Sequence, residues 1–225
     1  MIKPAFATLL GLVTLGLTAG CGASGPLEAE AQQRYVIYLH GRIIEDQGLP
    51  AISERYGEYK FDEIVRALRG EGFEVIAPLR DAGADPQEQA AEVSEQVLQI
   101  LDRGVLPEHI TIIGASKGAY IASLVSDTMA GPQLRYVLLA GCSAGANEAF
   151  LAEDRVLNGY VLTIRDRSDT ELAGSCAPLT QGSARLASFA EIETDTGLEH
   201  GLIYSPHPAW FGPAVDWANG HTIDE

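Results

Sequence analysis

The chain has 225 residues, with 31 Asp and Glu against 15 Lys and Arg and a formal net charge of −16. That acidity argues against nucleic acid and anionic headgroups as partners, because like charge repels both; it selects no substrate. The length suits one domain with a real core, once a short leader is set aside.

The leader is residues 1–20. Lys3 is its only charge, an apolar run from Ala5 to Leu17 follows, and the segment closes Leu17-Thr18-Ala19-Gly20-Cys21. A basic start, an apolar stretch too short to span a bilayer and small residues before a cleavage point describe a secretory signal peptide. Ending on Cys, the segment resembles a bacterial lipoprotein signal with its lipobox. The resemblance implies diacylglyceryl transfer to Cys21, cleavage before it and N-acylation of the new terminus. A chain so modified is anchored to a membrane of the cell envelope, facing the periplasm or the exterior. Residues 21–33 are then a small, polar tether and residues 34–225 the folded domain. Without Lys3, 14 basic residues face 31 acidic ones, a mature charge of −17. No other apolar run is long enough to span.

Along the folded part, six short runs predict strands: Arg34 to Leu39, Phe73 to Pro78, Ile110 to Ile113, Arg135 to Ala140, Tyr160 to Ile164 and Ser188 to Glu193. Most are near-continuous apolar stretches, as in parallel strands buried on both faces. Helical spacing lies between them. Phe61, Ile64, Val65 and Leu68 form one stripe, and Val93, Val97, Ile100 and Leu101 another within Pro86 to Arg103. Ile121, Leu124, Val125 and Thr128 form a third, and a last helix is predicted over Pro208 to Ala218. Alternating strands and helices predict a doubly wound, mostly parallel six-stranded α/β sheet with helices on both faces. In such sheets ligands bind beyond the carboxyl ends of the strands, so the segments after each strand hold the candidates.

After the first strand comes His40-Gly41-Arg42, where a glycine lets the backbone approach a substrate and the Arg42 N–H can point at a developing oxyanion. The segment Ile43 to Gly48 and the tail to Tyr59 follow and are expected to rim the pocket. After the third strand comes Gly114-Ala115-Ser116-Lys117-Gly118, a G-x-S-x-G turn between a strand and an amphipathic helix. That layout is a nucleophile elbow, with the Lys117 N–H as second oxyanion donor at a helix amino terminus. The pentapeptide alone is weak, because the chain holds a second match, Gly141-Cys142-Ser143-Ala144-Gly145. Ser143 lacks a strong amphipathic helix behind it, which favours Ser116. After the fifth strand, Asp166 and Asp169 compete as the acid that orients a histidine. After the sixth comes His200, with Gly197 and Gly201 nearby to give a general base mobility. His207, beside Pro206 and Pro208, is the reserve.

At this point the chain resembles the α/β-hydrolase family over about Tyr35 to Ala218, in a small version without the two leading antiparallel strands or a large lid. The order Ser116, acid, His200 is the family's order. The family's acid sits five residues past the last apolar residue of its strand; counting from Ile164 gives Asp169. The resemblance implies a carboxylesterase-like serine hydrolase with Ser116, Asp169 and His200 as triad, acting on a small or polymer-borne ester. An amidase, thioesterase or acyltransferase would use the same groups. The reading from a different class is a non-catalytic lipoprotein that keeps the fold as an interaction surface.

Cys142 and Cys176 remain once Cys21 is lipidated, an even pair in an oxidising compartment. Both are predicted just beyond the carboxyl ends of neighbouring strands, so a disulfide between them is expected; two buried free thiols are the alternative. No metal site or cofactor is expected: the histidines lack ligand spacing, and no glycine-rich phosphate loop follows a strand.

Overall fold

A computed structural model describes Met1, residues 31–129, residue 131 and residues 133–223. The expected leader, Cys21 with its lipidation, and residues 22–30 of the expected tether lie outside the described residues.

The main sheet has six strands: β1 (Tyr35–Leu39), β4 (Glu74–Ile76), β5 (Ile110–Ala115), β6 (Arg135–Leu139), β7 (Gly159–Asp166) and β8 (Leu186–Thr194). Their order is β4-β1-β5-β6-β7-β8, and every neighbouring pair is parallel. The chain therefore runs outward from β1 to one edge, then returns to the other side of β1 and continues to the far edge. The order reverses between β1 and β5, and the crevice at that switch point is where such sheets take ligands.

Both faces of the sheet are covered, as the unbroken apolar runs require. In β1, Val36 and Tyr38 face one way, into a core closed by helices α2 (Phe61–Gly70) and α6 (Pro208–Ala218). Tyr35, Ile37 and Leu39 face the other, toward α3 (Pro86–Asp102) and α4 (Lys117–Thr128). Local signals set the helix starts. Asp85 caps α3 by accepting from Gln87 N at 2.8 Å and Glu88 N at 3.0 Å, with Pro86 at the first helical position.

Three segments depart from the expected plan. The stretch after the first strand is a helix, α1 (Arg42–Gln47), rather than a loop. It is followed by an antiparallel hairpin of β2 (Ala51–Ser53) and β3 (Gly57–Tyr59). Ala-Ile-Ser and Gly-Glu-Tyr hold too few apolar residues to be read as strands, unlike the run that holds β4. Asp166 is the last residue of β7, so the strand runs two residues past the apolar core of its sequence pattern. A short helix, α5 (Ala144–Leu151), follows β6.

Candidate active site

The sharpest local feature is the turn at Ser116. Its φ of 53° and ψ of −116° put a non-glycine residue in the left-handed half of backbone space, which stores about 1–3 kcal/mol. The glycines on either side have no room for a side chain. A Cβ on Gly114 would stand 2.2 Å from Gly118 O, and one on Gly118 would stand 2.0 Å from Leu39 O. These contacts seat the start of α4 on the ends of β5 and β1. Ser116 is thus presented at the switch point.

His200 and Asp169 converge on it from two later loops. His200 Nε2 lies 2.9 Å from Ser116 Oγ, and His200 Nδ1 lies 2.6 Å from Asp169 Oδ2. A carboxylate only accepts, so Nδ1 donates to Asp169 and Nε2 accepts the Ser116 hydroxyl proton. Asp169 is 3 % exposed and His200 is 6 % exposed. An imidazole held in that tautomer can take the hydroxyl proton as the oxygen attacks. His200 lies on a 3-10 helix, Glu199–Tyr204. The hairpin buttresses it: Tyr56 Oη donates to Glu199 Oε2 at 3.2 Å, and a Cβ on Gly201 would press to 3.0 Å from the Tyr56 ring.

The competing Asp166 is engaged elsewhere. Its Oδ1 accepts from Ser168 N at 3.1 Å and from Ser168 Oγ. Its Oδ2 accepts from Thr194 Oγ1 at 3.0 Å, Thr196 N at 2.8 Å and Thr196 Oγ1 at 2.6 Å. Burial alone would raise its pKa, but the donors from Ser168 and Thr196 outweigh it and hold the carboxyl far below the usual carboxylate range. Asp166 ties the acid loop to the histidine loop, and Ser168 Oγ completes the tie by accepting from Glu199 N at 3.2 Å.

On the other side of Ser116 stands the turn after β1. A Cβ on Gly41 would lie 3.5 Å from Ser116 Cβ. Arg42 and Lys117 are the first residues of α1 and α4, and first-turn N–H groups have no partner within their own helix. The Gly41 carbonyl accepts from His40 Nδ1 at 2.9 Å and from Ile44 N at 3.3 Å. His40 is fully buried, and its Nε2 accepts from Arg80 N at 3.1 Å. Burial, with the Arg80 cation beside it, lowers the His40 pKa to about 4, so the ring is neutral and carries its proton on Nδ1. Lys117's side chain, of which the sequence asks nothing, forms an ion pair with Glu45 on α1.

A cleft of about 680 Å³ opens over Ser116. Tyr59, Tyr120, Ala146, Ala149, Ile203 and Tyr204 are among its lining residues. Of the expected rim, Ile43 and Tyr59 line the cleft while Ile44 and Glu45 turn inward. The disulfide Cys142–Cys176 is formed, and Cys142 lines the cleft. Ser143 also lines it, but its Oγ accepts from Ala146 N at 3.4 Å and caps α5. His207 caps α6, its Nδ1 accepting from Ala209 N at 3.2 Å. Among the described residues no group of three His, Cys, Asp or Glu side chains could hold a metal ion.

No protein-family model and no curated protein matches the chain. Solved structures do. A sugar hydrolase, YeeB, from Lactococcus lactis is 15% identical, with 84% of this chain and 90% of that one covered at a TM-score of 0.52. The Francisella virulence factor BioJ is 13% identical, with 84% and 77% covered at 0.54. A gene product of Listeria innocua is 11% identical, with 86% and 96% covered at 0.55. At these identities the likeness is one of fold: the chain has a small α/β-hydrolase-like fold.

Proposed function

We propose that the protein is a serine hydrolase of carboxylic esters. The observation that carries this reading is the unbroken hydrogen-bonded line Ser116 Oγ, His200 Nε2, His200 Nδ1, Asp169 Oδ2 at the mouth of the cleft. Ser116 Oγ attacks the acyl carbon as its proton passes to His200 Nε2, and the carbonyl electrons move onto the oxygen. The N–H groups of Arg42 and Lys117 stabilise that oxyanion. The intermediate collapses, the carbon–oxygen bond to the alcohol breaks, and His200 returns the proton to the leaving alkoxide. Water then gives a proton to His200 and attacks the acyl carbon; the bond to Ser116 Oγ breaks, His200 returns the proton to Ser116 Oγ, and the acid leaves. Asp169 holds the ring in its tautomer throughout.

A cleft walled largely by apolar and small side chains favours a small or polymer-borne acyl ester over a highly charged one. A fluorophosphonate probe tests the reading. The wild type is expected to be labelled and Ser116→Ala is not; a folded wild type that stays unlabelled refutes it, and equal labelling of Ser116→Ala moves the nucleophile to Ser143. We propose in addition that the chain is exported and lipid-anchored at Cys21, on the strength of the leader and Cys21 in the sequence. Radiolabelled palmitate should enter the wild type and not Cys21→Ser; equal incorporation refutes the anchor.

A further inference from the structure

The two proposed oxyanion donors begin different helices, so their spacing must be set by whatever joins α1 to α4. Glu45 joins them. Its side chain is 1 % exposed. Oε1 accepts from Arg80 Nε at 2.7 Å, and Oε2 accepts from Lys117 Nζ. Lys117 Nζ also donates to Ala84 O at 2.7 Å. The Arg80 guanidinium reaches on to His40 O, and the Arg80 backbone N–H to His40 Nε2. One carboxylate therefore links the residue after Ser116, the helix that starts at Arg42, the loop after β4 and the end of β1.

Stability is a poor reason for such a cluster. Desolvating three charges offsets most of their mutual attraction, and apolar replacements of similar volume often do as well. Arg80 Nη1 is moreover buried without a hydrogen-bond partner, a further cost. What the cluster does supply is register: removing one member leaves an uncompensated buried charge, so each holds the others in place.

We propose that Glu45 is a positioning residue for acyl transfer, its ion pairs to Lys117 and Arg80 holding the Arg42 and Lys117 N–H groups at the spacing a tetrahedral oxyanion requires. This inference rests on the serine-hydrolase reading of Ser116. Charge and geometry act here with opposite signs. Deleting the carboxylate leaves two uncompensated cations near the oxyanion, which by charge alone would speed the reaction. In Glu45→Gln a slower reaction therefore reports lost geometry, whereas Lys117→Met, which removes a cation, serves the cycle with Glu45→Gln.

The experiment compares wild type, Glu45→Gln, Lys117→Met and the double variant. Three quantities are read: the rate of fluorophosphonate labelling, kcat and KM on p-nitrophenyl butyrate, and the affinity for an alkyl boronic acid, which mimics the tetrahedral intermediate. Each single variant is expected to lose about 10–100-fold in kcat and labelling rate, with boronate affinity falling in parallel and KM changing by less than about three-fold. The double variant should be no worse than the poorer single one, because the two groups act as a unit. A folded Glu45→Gln whose labelling and boronate affinity stay within about two-fold of wild type overturns the proposal, as does full additivity of the two singles. Should Glu45→Gln fail to fold, Glu45→Asp carries the same test: it keeps the charge and shortens the reach to Lys117 and Arg80, so a slower reaction again reports geometry, and wild-type rates there overturn the proposal. A folded wild type that takes no label ends the serine-hydrolase reading and this inference with it.

Discussion

Asp169→Asn and Asp166→Asn should fail in opposite ways, and the donors around each carboxylate say why. Asp169 accepts from two groups, His200 Nδ1 on Oδ2 and Leu172 N at 3.2 Å on Oδ1. The Leu172 N–H is a fixed backbone donor, so an Asn there turns its carbonyl oxygen toward Leu172 and its NH2 toward His200. Nδ1 must then accept, the proton moves to Nε2, and His200 can no longer take a proton from Ser116. A forced tautomer of this kind lowers kcat by roughly 10³–10⁴-fold. Hydrogen-bond count is preserved, so stability should change by less than about 1 kcal/mol.

Asp166 has a backbone N–H on each oxygen, Ser168 N on Oδ1 and Thr196 N on Oδ2. Neither can rotate away. Whichever way an Asn is placed, its NH2 meets one of them and leaves a buried donor unsatisfied, at about 1–3 kcal/mol. Loss of charge assistance on the remaining bonds brings the total to about 2–4 kcal/mol. For a domain of this size that lowers Tm by roughly 5–15 °C, while kcat well below the new Tm falls by less than about ten-fold. Calorimetry and esterase assays on the same preparations separate the cases. If Asp166→Asn loses activity as severely as Asp169→Asn at unchanged Tm, the assignment of the acid to Asp169 is wrong.

Reduction tests the disulfide. Cys142 and Cys176 are 34 positions apart, and closing a loop of that length stabilises by about 4 kcal/mol. Tris(carboxyethyl)phosphine should lower Tm by about 8–16 °C, less whatever Ala140 and Cys142 regain by leaving their positive φ of 46° and 58°; a fall under about 2 °C would mean other contacts hold that wall of the cleft. Ser116→Gly should be about 1 kcal/mol more stable than Ser116→Ala, because glycine alone relieves the φ of 53°; equal melting temperatures would show the elbow unstrained. His40 has its pKa lowered from 6.5 to about 4 by burial and by Arg80. Below pH 6.5 the unfolded chain therefore binds a proton that the folded one refuses. Stability is lost as pH falls through that window, by up to about 3 kcal/mol below pH 4. Urea titrations of wild type and His40→Gln should diverge between pH 6.5 and 4, and parallel curves would refute the buried neutral ring.

The central strands were legible because strands buried on both faces are largely apolar, as in Ile110 to Ile113. The elbow was legible through its glycines, since Gly114 and Gly118 stand where backbone meets backbone. Of the acids, Asp169 could be preferred only by a family count along the chain. What separates it from Asp166 is the set of donors on each oxygen: those on Asp166 Oδ1 come from Ser168, but those on Oδ2 come from Thr194 and Thr196, about thirty positions on. Glu45 was illegible for the same reason. In Ile43-Ile44-Glu45-Asp46 a carboxylate looks like a solvated rim, and its partners Arg80 and Lys117 are 35 and 72 positions away. Sequence pattern reports burial that repeats with the period of an element, and says nothing of a single charge turned inward to meet others brought from afar.

Net charge proves an equally poor guide to the cleft. Of its nineteen lining residues none is Asp or Glu, and its two permanent cations are Arg42 and Lys117, although acids outnumber bases two to one in the chain. An unscreened carboxylate about 4 Å from a forming oxyanion would oppose it by about 4 kcal/mol at an effective dielectric of 20, or roughly 10³-fold in rate. The carboxylates bonded to His200 and to Lys117, Asp169 and Glu45, do not line the cleft. Asp169 stands behind His200, where its charge stabilises the imidazolium. Glu45 is paired with Lys117 and Arg80, which offset its charge. The chain's acidity thus does not extend to the residues that line the cleft.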